Sequence, residues 1–202
     1  MNTARESAKR LARAAAFVAV LPVLLHYWFW SLVVGRHTAF RGAVQFVSLL
    51  PGLPGVYMRG AFLSRTLAGC HPSARVEFGA LFSEPGATLG AGAYVGPRCV
   101  LGLVRVGKDA LLASGVQVPS GGKTHRFDDP DVPIRDQGGD LTLVTIGDGA
   151  WIGAGAIVLA DVGKGTVVAA GSVVTKPLPD FVVAAGVPAK VLRPRFGGAP
   201  DA

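Results

Sequence analysis

His125 is the residue of this chain around which acid–base chemistry could be built. It lies in GGKTHRFDDPDVPIRDQGG, residues 121 to 139, a polar stretch inside a chain that is otherwise half apolar and strongly repetitive. Histidine as a residue type titrates near neutrality, so a positioned neutral imidazole can take a proton from an acceptor and later return it. Asp128 and Asp129 are close in sequence, and Glu84 lies upstream. All three read as solvated acids, so the group that orients the ring is left open. A lone histidine says little until the element that holds it is known.

That element is a six-residue repeat. Aliphatic or aromatic anchors recur at Val76, Phe82, Leu89, Val95, Leu101, Val106, Leu112 and Val118, then at Ile146, Ile152, Val158, Val162, Val168 and Val174. Nine of the thirteen spacings are six. A period of six fits neither an α-helix nor a chain of hairpins. It fits a solenoid in which each hexad makes a short strand and a turn, three strands closing a triangular coil with the anchors pointing inward. Val158 to Val162 is a step of four and predicts a tight turn, while Leu101 to Val106 is a step of five with Arg105 at a position expected to be small. From Val118 to Ile146 the repeat lapses. One hexad, ending in GGK, is followed by an excursion over residues 124–145 with His125 at its root. A polar loop of this length in a regular solenoid points to function.

The N-terminal third has a different character. Residues 1–69 hold 8 Lys/Arg and 1 acid, whereas residues 70–202 hold 12 of each. The excess charge is therefore local, which argues against a nucleic-acid-binding protein. Within that third, Ala14 to Val34 forms an apolar run with His26 as its one ionisable group, long enough to span a bilayer. A cleaved signal peptide fits poorly, because the run is too long and lacks a small-residue cleavage site. Basic residues flank the run on both sides, so the reading is attachment at the cytoplasmic face of the cell membrane, re-entrant or in-plane and kinked at Pro22. A second apolar segment, Val44 to Met58, is expected to break at Pro51 and Pro54.

The hexads, and above all VTIGDGAWIGAGAIVLADVGKGTVVAAGSVVTKPLPDFVVAAGVPAKVLR at residues 144 to 193, resemble the hexapeptide-repeat acyltransferases, including galactoside, maltose and colanic-acid O-acetyltransferases. The resemblance implies a mainly β fold, a left-handed parallel β-helix over residues 70–193. It would follow the membrane-associated region 1–69 and precede a tail at 194–202. It further implies a homotrimer, acetyl-CoA as co-substrate, no metal, and His125 as the catalytic base of direct acyl transfer. By the same resemblance, CoA would contact Trp151, Ala154, Ala170, Gly171, Thr175 and Lys176, with Lys190 and Arg193 near the nucleotide phosphates. Pro177, Pro179 and Pro188 are expected to end the solenoid by forbidding further pairing.

The function expected is O-acetylation of a sugar hydroxyl on a polysaccharide or lipid-linked saccharide. An amino-sugar N-acetyltransferase would use the same histidine and groove. A β-helix carbonic anhydrase needs three zinc-binding histidines, and of His26, His37, His71 and His125 only the last two lie in or beside the repeat. A non-catalytic membrane scaffold is the remaining alternative. Cys70 and Cys99 show no metal-ligand spacing, and Cys99 occupies a small-residue packing position.

Overall fold

The computed structural model, which describes residues 2–196, folds the hexads into three parallel sheets wrapped around one apolar prism. The first sheet contains Gly69–Cys70, Thr88–Leu89, Val104–Val106 and Val144–Ile146. The second contains Arg75–Val76, Tyr94–Val95, Leu111–Leu112, Trp151–Ile152, Val167–Val168 and Val182–Gly186. The third contains Leu81–Phe82, Val100–Leu101, Gln117–Val118, Ile157–Val158 and Val173–Val174. Successive strands belong to successive sheets, so each three strands complete one coil.

Every anchor named above is buried, and in the two-residue strands the residue before it faces outward. A strand this short has no stability of its own. Burying each anchor against the coils above and below contributes about 1.5–3 kcal/mol per large aliphatic side chain, and the sum holds the stack. Aspartates at the corners add coil-to-coil staples. Asp148 Oδ1 accepts from Lys108 N and Asp180 Oδ1 accepts from Lys164 N, both at 2.7 Å.

The irregular steps have local solutions. Around the step of five, the three-residue strand Val104–Val106 turns both valines inward, and Arg105 faces out between Thr88 and Thr145 in register. Arg105 therefore occupies an outward strand position, not a small one. At the step of four, Val162 makes single bridges to Ile146 and Leu178, and Asp161 Oδ1 accepts from Thr145 N at 2.7 Å.

Pro177 and Pro179 do not end the solenoid, whereas Pro188 lies in the turn at which it does end. Leu178, between Pro177 and Pro179, still pairs with Val162, and Val182–Gly186 adds a further parallel strand onto Val167–Val168. Growth stops because Ala189–Pro194 folds back antiparallel onto Val182–Gly186 and occupies its open edge. Residues 197–202 of the C-terminal tail lie outside the described residues.

Three helices precede the coils: α1 at Asn2–Val33, α2 at Arg36–Ser48 and α3 at Gly52–Thr66. Helix α1 continues through Pro22. The second apolar segment breaks once, at residues 49–51, because Pro54 falls in the first turn of α3, where a missing N–H costs nothing. Val20, Leu24 and Tyr27 of α1, Phe40 and Val47 of α2, and Phe62 and Leu63 of α3 share one core with Val76 and Phe82 of the coils. Tyr27 meets Phe40 and Phe62 edge-on, with ring centroids 6.5 and 5.9 Å away.

Arg59 locks this unit to the first coil. Its side chain is 1 % exposed, its Nε donates to Val76 O at 3.0 Å, and its Nη1 donates to Leu50 O at 2.5 Å. Burial pushes the guanidinium below the ordinary arginine range, opposed by the field of Glu77. The helical region is thus docked on the solenoid through a shared core.

Candidate active site

The polar excursion is an arm that leaves the prism earlier than its sequence suggests. The third-sheet strand ends at Val118 and the next strand begins at Val144, so the arm spans residues 119–143. Gly122 and Lys123 belong to the arm, not to a completed hexad, and Val144 and Thr145 belong to the coil. The exit is made at Ser120 and Gly121, both left-handed with φ of 68° and 88°. Ser120 is buried, and its Oγ accepts from Leu103 N at 2.7 Å, which ties the exit to the preceding coil. A buried hydrogen bond of this kind offsets the unfavourable backbone conformation.

From that exit the two legs of the arm pair with each other. Thr142 N donates to Ser120 O, Asp140 N to Lys123 O and Arg126 N to Gly138 O, at 2.8, 2.9 and 2.9 Å. At the tip, a single 3-10 turn at Ile134–Asp136 is gathered by Gln137. Its Oε1 accepts from Asp129 N at 3.1 Å, and its Nε2 donates to Asp129 O and Val132 O, both at 2.7 Å. Arg126 and Asp140 add an exposed ion pair at 3.3 Å. Gly139 packs against the backbone of the opposite leg, where a Cβ would fall 2.8 Å from His125 N and closer still to Thr124 O.

His125 therefore sits a few residues out along a braced arm, not at the rim of the rigid coil. Its side chain is exposed, and among the described residues no side chain bonds to its ring. The acids near it are engaged elsewhere or free in solvent. Glu84 Oε2 lies 3.3 Å from His37 Nδ1, and Asp129 Oδ1 accepts from Asp131 N at 2.9 Å. Among the described residues no three His, Cys, Asp or Glu side chains gather as a metal site.

The candidate CoA residues divide into three groups. Ala154, Ala170 and Gly171 stack on the corner between the second and third sheets, where Gly171 N donates to Ala154 O at 2.8 Å. Gly171 has φ of 68°, and a side chain there would meet nothing within 4 Å, so this corner is open and free of bulk. Thr175 and Lys176 lie on the opposite edge of the third sheet. They follow Val174 as Ser120 follows Val118, two strand spacings and so roughly 10 Å further along the axis. Trp151, 52 % exposed, faces out from the second sheet in one row with Val167, Val183 and Arg193, while Lys190 pairs with Ala185 nearby. One chain brings the alanine–glycine corner together and aligns Trp151 with Arg193. It does not gather all eight into one cleft.

Sequence reasoning missed Ser120, Gly121, Gln137 and Gly139, which shape the arm. Their signal was SGG at the exit and QGG behind the tip, small residues where the legs must turn and approach.

No protein-family model matches the chain. A Dictyostelium discoideum protein provisionally described as an acetyltransferase is 50% identical over 93 residues, covering 45% of this chain and 46% of that protein. The chain thus spans less than half of that relative's length. Among solved structures, galactoside acetyltransferase in complex with coenzyme A superposes with a TM-score of 0.62 at 24% identity, over 79% of this chain and 82% of that one. AntD, an N-acyltransferase from Bacillus cereus in complex with dTDP and 3-hydroxybutyryl-CoA, gives 0.53 at 18% identity, over 66% and 86%. These likenesses establish a shared solenoid fold.

Proposed function

We propose that this chain, built on the solenoid fold of the hexapeptide-repeat acyltransferases, is an acetyl-CoA-dependent acetyltransferase acting on a saccharide. The observation that carries the reading is the braced arm: a regular solenoid of the kind seen with CoA bound is interrupted once, and the interruption presents His125. As neutral imidazole, His125 takes the proton of an acceptor hydroxyl while the oxygen attacks the thioester carbonyl. The tetrahedral intermediate collapses with cleavage of the C–S bond, and the imidazolium returns the proton to the departing thiolate. Corner backbone N–H groups are suited to stabilise the oxyanion.

Three identical subunits would complete the site. Tyr94, Leu111, Trp151, Val167 and Val183 form a continuous outward row on the second sheet, an apolar surface suited to packing against a neighbour. With a neighbour seated there, the proposed CoA groove runs between subunits along the Ala154–Gly171 corner, at the edge of the second sheet. Lys190 and Arg193 beside the second-sheet row, and Lys176 on the far edge of the third sheet, are the cations proposed for the nucleotide phosphates.

Membrane attachment through α1 is supported by its Ser7–Val33 segment, 27 residues long and apolar enough to cross a membrane, and by side chains such as Leu32 that stand exposed on it. With the catalytic domain on the cytoplasmic face, acetyl-CoA is accessible, and a lipid-linked saccharide or nascent polysaccharide is the acceptor that membrane residence favours.

Incubating purified protein with acetyl-CoA and lipid-linked saccharides tests this reading by the release of free CoA thiol. Full turnover in His125→Ala would remove the proposed base. A second reading, N-acetylation of an amino sugar, is favoured by the likeness to an N-acyltransferase crystallised with dTDP. Mild alkali separates the two, because an acetyl ester is cleaved and an acetamide survives.

A further inference from the structure

We propose that the cavity between α1, α3 and the first coil is a binding site for a phosphate group, carried by an acidic lipid head or by a soluble phosphate ester. The cavity holds about 430 Å³ and is lined by Lys9, Arg13, Ser64, Arg65, His71 and Arg75 among others. No carboxylate lines it among the described residues. Glu77 Oε1 accepts from Arg75 Nε at 2.5 Å, which leaves Arg13 and Arg65 as cavity cations with no carboxylate partner among the described residues. Guanidinium groups lining one cavity match the charge and forked donor geometry that a phosphate takes.

Two of the donors are pre-positioned. Arg65 lies over the Phe17 ring, 4.9 Å from its centroid, and its Nη1 donates to Ser64 Oγ at 3.1 Å. Stacking of this kind restrains a long side chain without neutralising it. At His71, Nδ1 accepts from Ser73 N at 3.2 Å and also contacts Ser73 Oγ at 2.8 Å. Ser73 Oγ itself accepts from Gly92 N at 2.9 Å, so its hydroxyl hydrogen is free to point at Nδ1. A backbone N–H can only donate, so Nδ1 is the acceptor and Nε2 carries the hydrogen of the neutral ring.

The location connects the cavity to a membrane. Lys9 and Arg13, one turn apart on α1, stand at the start of its apolar stretch, where a lipid head would meet the helix. Further along the same helix, a groove of about 560 Å³ beside α2 is lined by Val23, Trp30, Val34 and Phe46 and is apolar, so the phosphate chemistry belongs to the basic cavity alone. The cavity is also separate from the CoA surface. Arg75 and Trp151 are three strand spacings apart on the second sheet, roughly 14 Å.

The test uses the full-length protein in neutral detergent and does not involve acyl transfer, so its failure leaves the acetyltransferase reading intact. In one arm, inorganic phosphate and pyrophosphate are titrated by calorimetry. In the other, flotation measures binding to vesicles of phosphatidylcholine alone or mixed with phosphatidylglycerol. Arg13→Gln and Arg65→Gln are compared with Arg41→Gln, which removes an exposed charge outside the cavity, after all three are shown to melt like the parent. Each cavity substitution is expected to weaken binding roughly fivefold, and Arg41→Gln less than twofold. Sensitivity in the vesicle arm alone identifies a lipid head, and sensitivity in the titration identifies a soluble phosphate ester. Equal losses in all three variants, or no loss in Arg13→Gln and Arg65→Gln in either arm, would overturn the site.

Discussion

The coils and the arm of this protein are positioned by opposite means. In the coils, position is redundant: each anchor is buried against neighbours of the same kind, and the ladder repeats the same bond at every level. In the arm, position is singular: Ser120 fixes the exit, three backbone pairs join the legs, and one glutamine gathers the tip. A redundant scaffold tolerates local change and a singular one does not. The lesson is that rigidity here comes from repetition, and chemistry is hung where repetition stops.

Substitutions in the two regions should therefore differ in both the size and the reach of their effects. The largest effect is expected from His125→Ala, which should lower turnover by about 10²–10⁴-fold while the melting temperature and CoA affinity hold. Steady-state kinetics with calorimetry checks it, and loss of CoA binding in parallel would mean that the arm is structural. Next, Ile152→Ala, at a fully buried anchor, should cost about 2–5 kcal/mol in urea unfolding, because a cavity opens between coils. Residual activity in the folded fraction is expected, since the arm is untouched. A loss below 1 kcal/mol would show that neighbouring coils collapse into the gap.

A smaller and more local effect is expected at the tip. Gln137→Ala removes three hydrogen bonds from an exposed segment, so hydrogen exchange at residues 128–137 should accelerate several-fold with the global melting temperature unchanged. A global drop would show that the arm is part of the fold's cooperative unit. The smallest effect concerns the thiols. Burial pushes both Cys70 and Cys99 up to about 11 from an ordinary 9.0. In the unfolded chain they ionise first, so between about pH 9 and pH 11 the unfolded state binds fewer protons and native stability falls as pH rises. Unfolding curves across that window should show the fall, and Cys99→Ala should flatten part of it.

The repeat was readable because a solenoid writes its geometry into the period. Every anchor from Val76 to Val174 is an inward residue, held in a strand or, at Val162, in single bridges. What the period does not carry is how the ladder stops. Pro177 and Pro179 looked like terminators, yet Leu178 between them still bridges to Val162, because proline lacks one donor and its neighbours do not. The stop is a hairpin whose turn holds Pro188, with Ala189–Pro194 folded back on Val182–Gly186.

The candidate site shows the same division. His125 stood out because its surroundings are polar and aperiodic. The foot of the arm was displaced by several residues, because Gly121 and Gly122 mimic repeat glycines while the backbone at Ser120 and Gly121 has already turned left-handed. The helices were legible as apolar and basic, but their docking rests on Arg59 reaching carbonyls on Val76 and Leu50. Arginine in an apolar segment reads as a surface charge until the partners that bury it are known.

By itself, then, the sequence determined the six-residue architecture, the single interruption at the arm, and the segregation of positive charge into the first 69 residues. Each of these is a property of residue order along the chain, and hydrophobic periodicity translates it directly into which side chains turn inward. Tertiary structure alone decided that α3 and the first coil enclose a basic cavity, that Arg59 is interior, and that the CoA candidates fall on separate corners. Those outcomes depend on contacts between residues far apart in sequence, and such contacts form only when the whole chain has closed around its core.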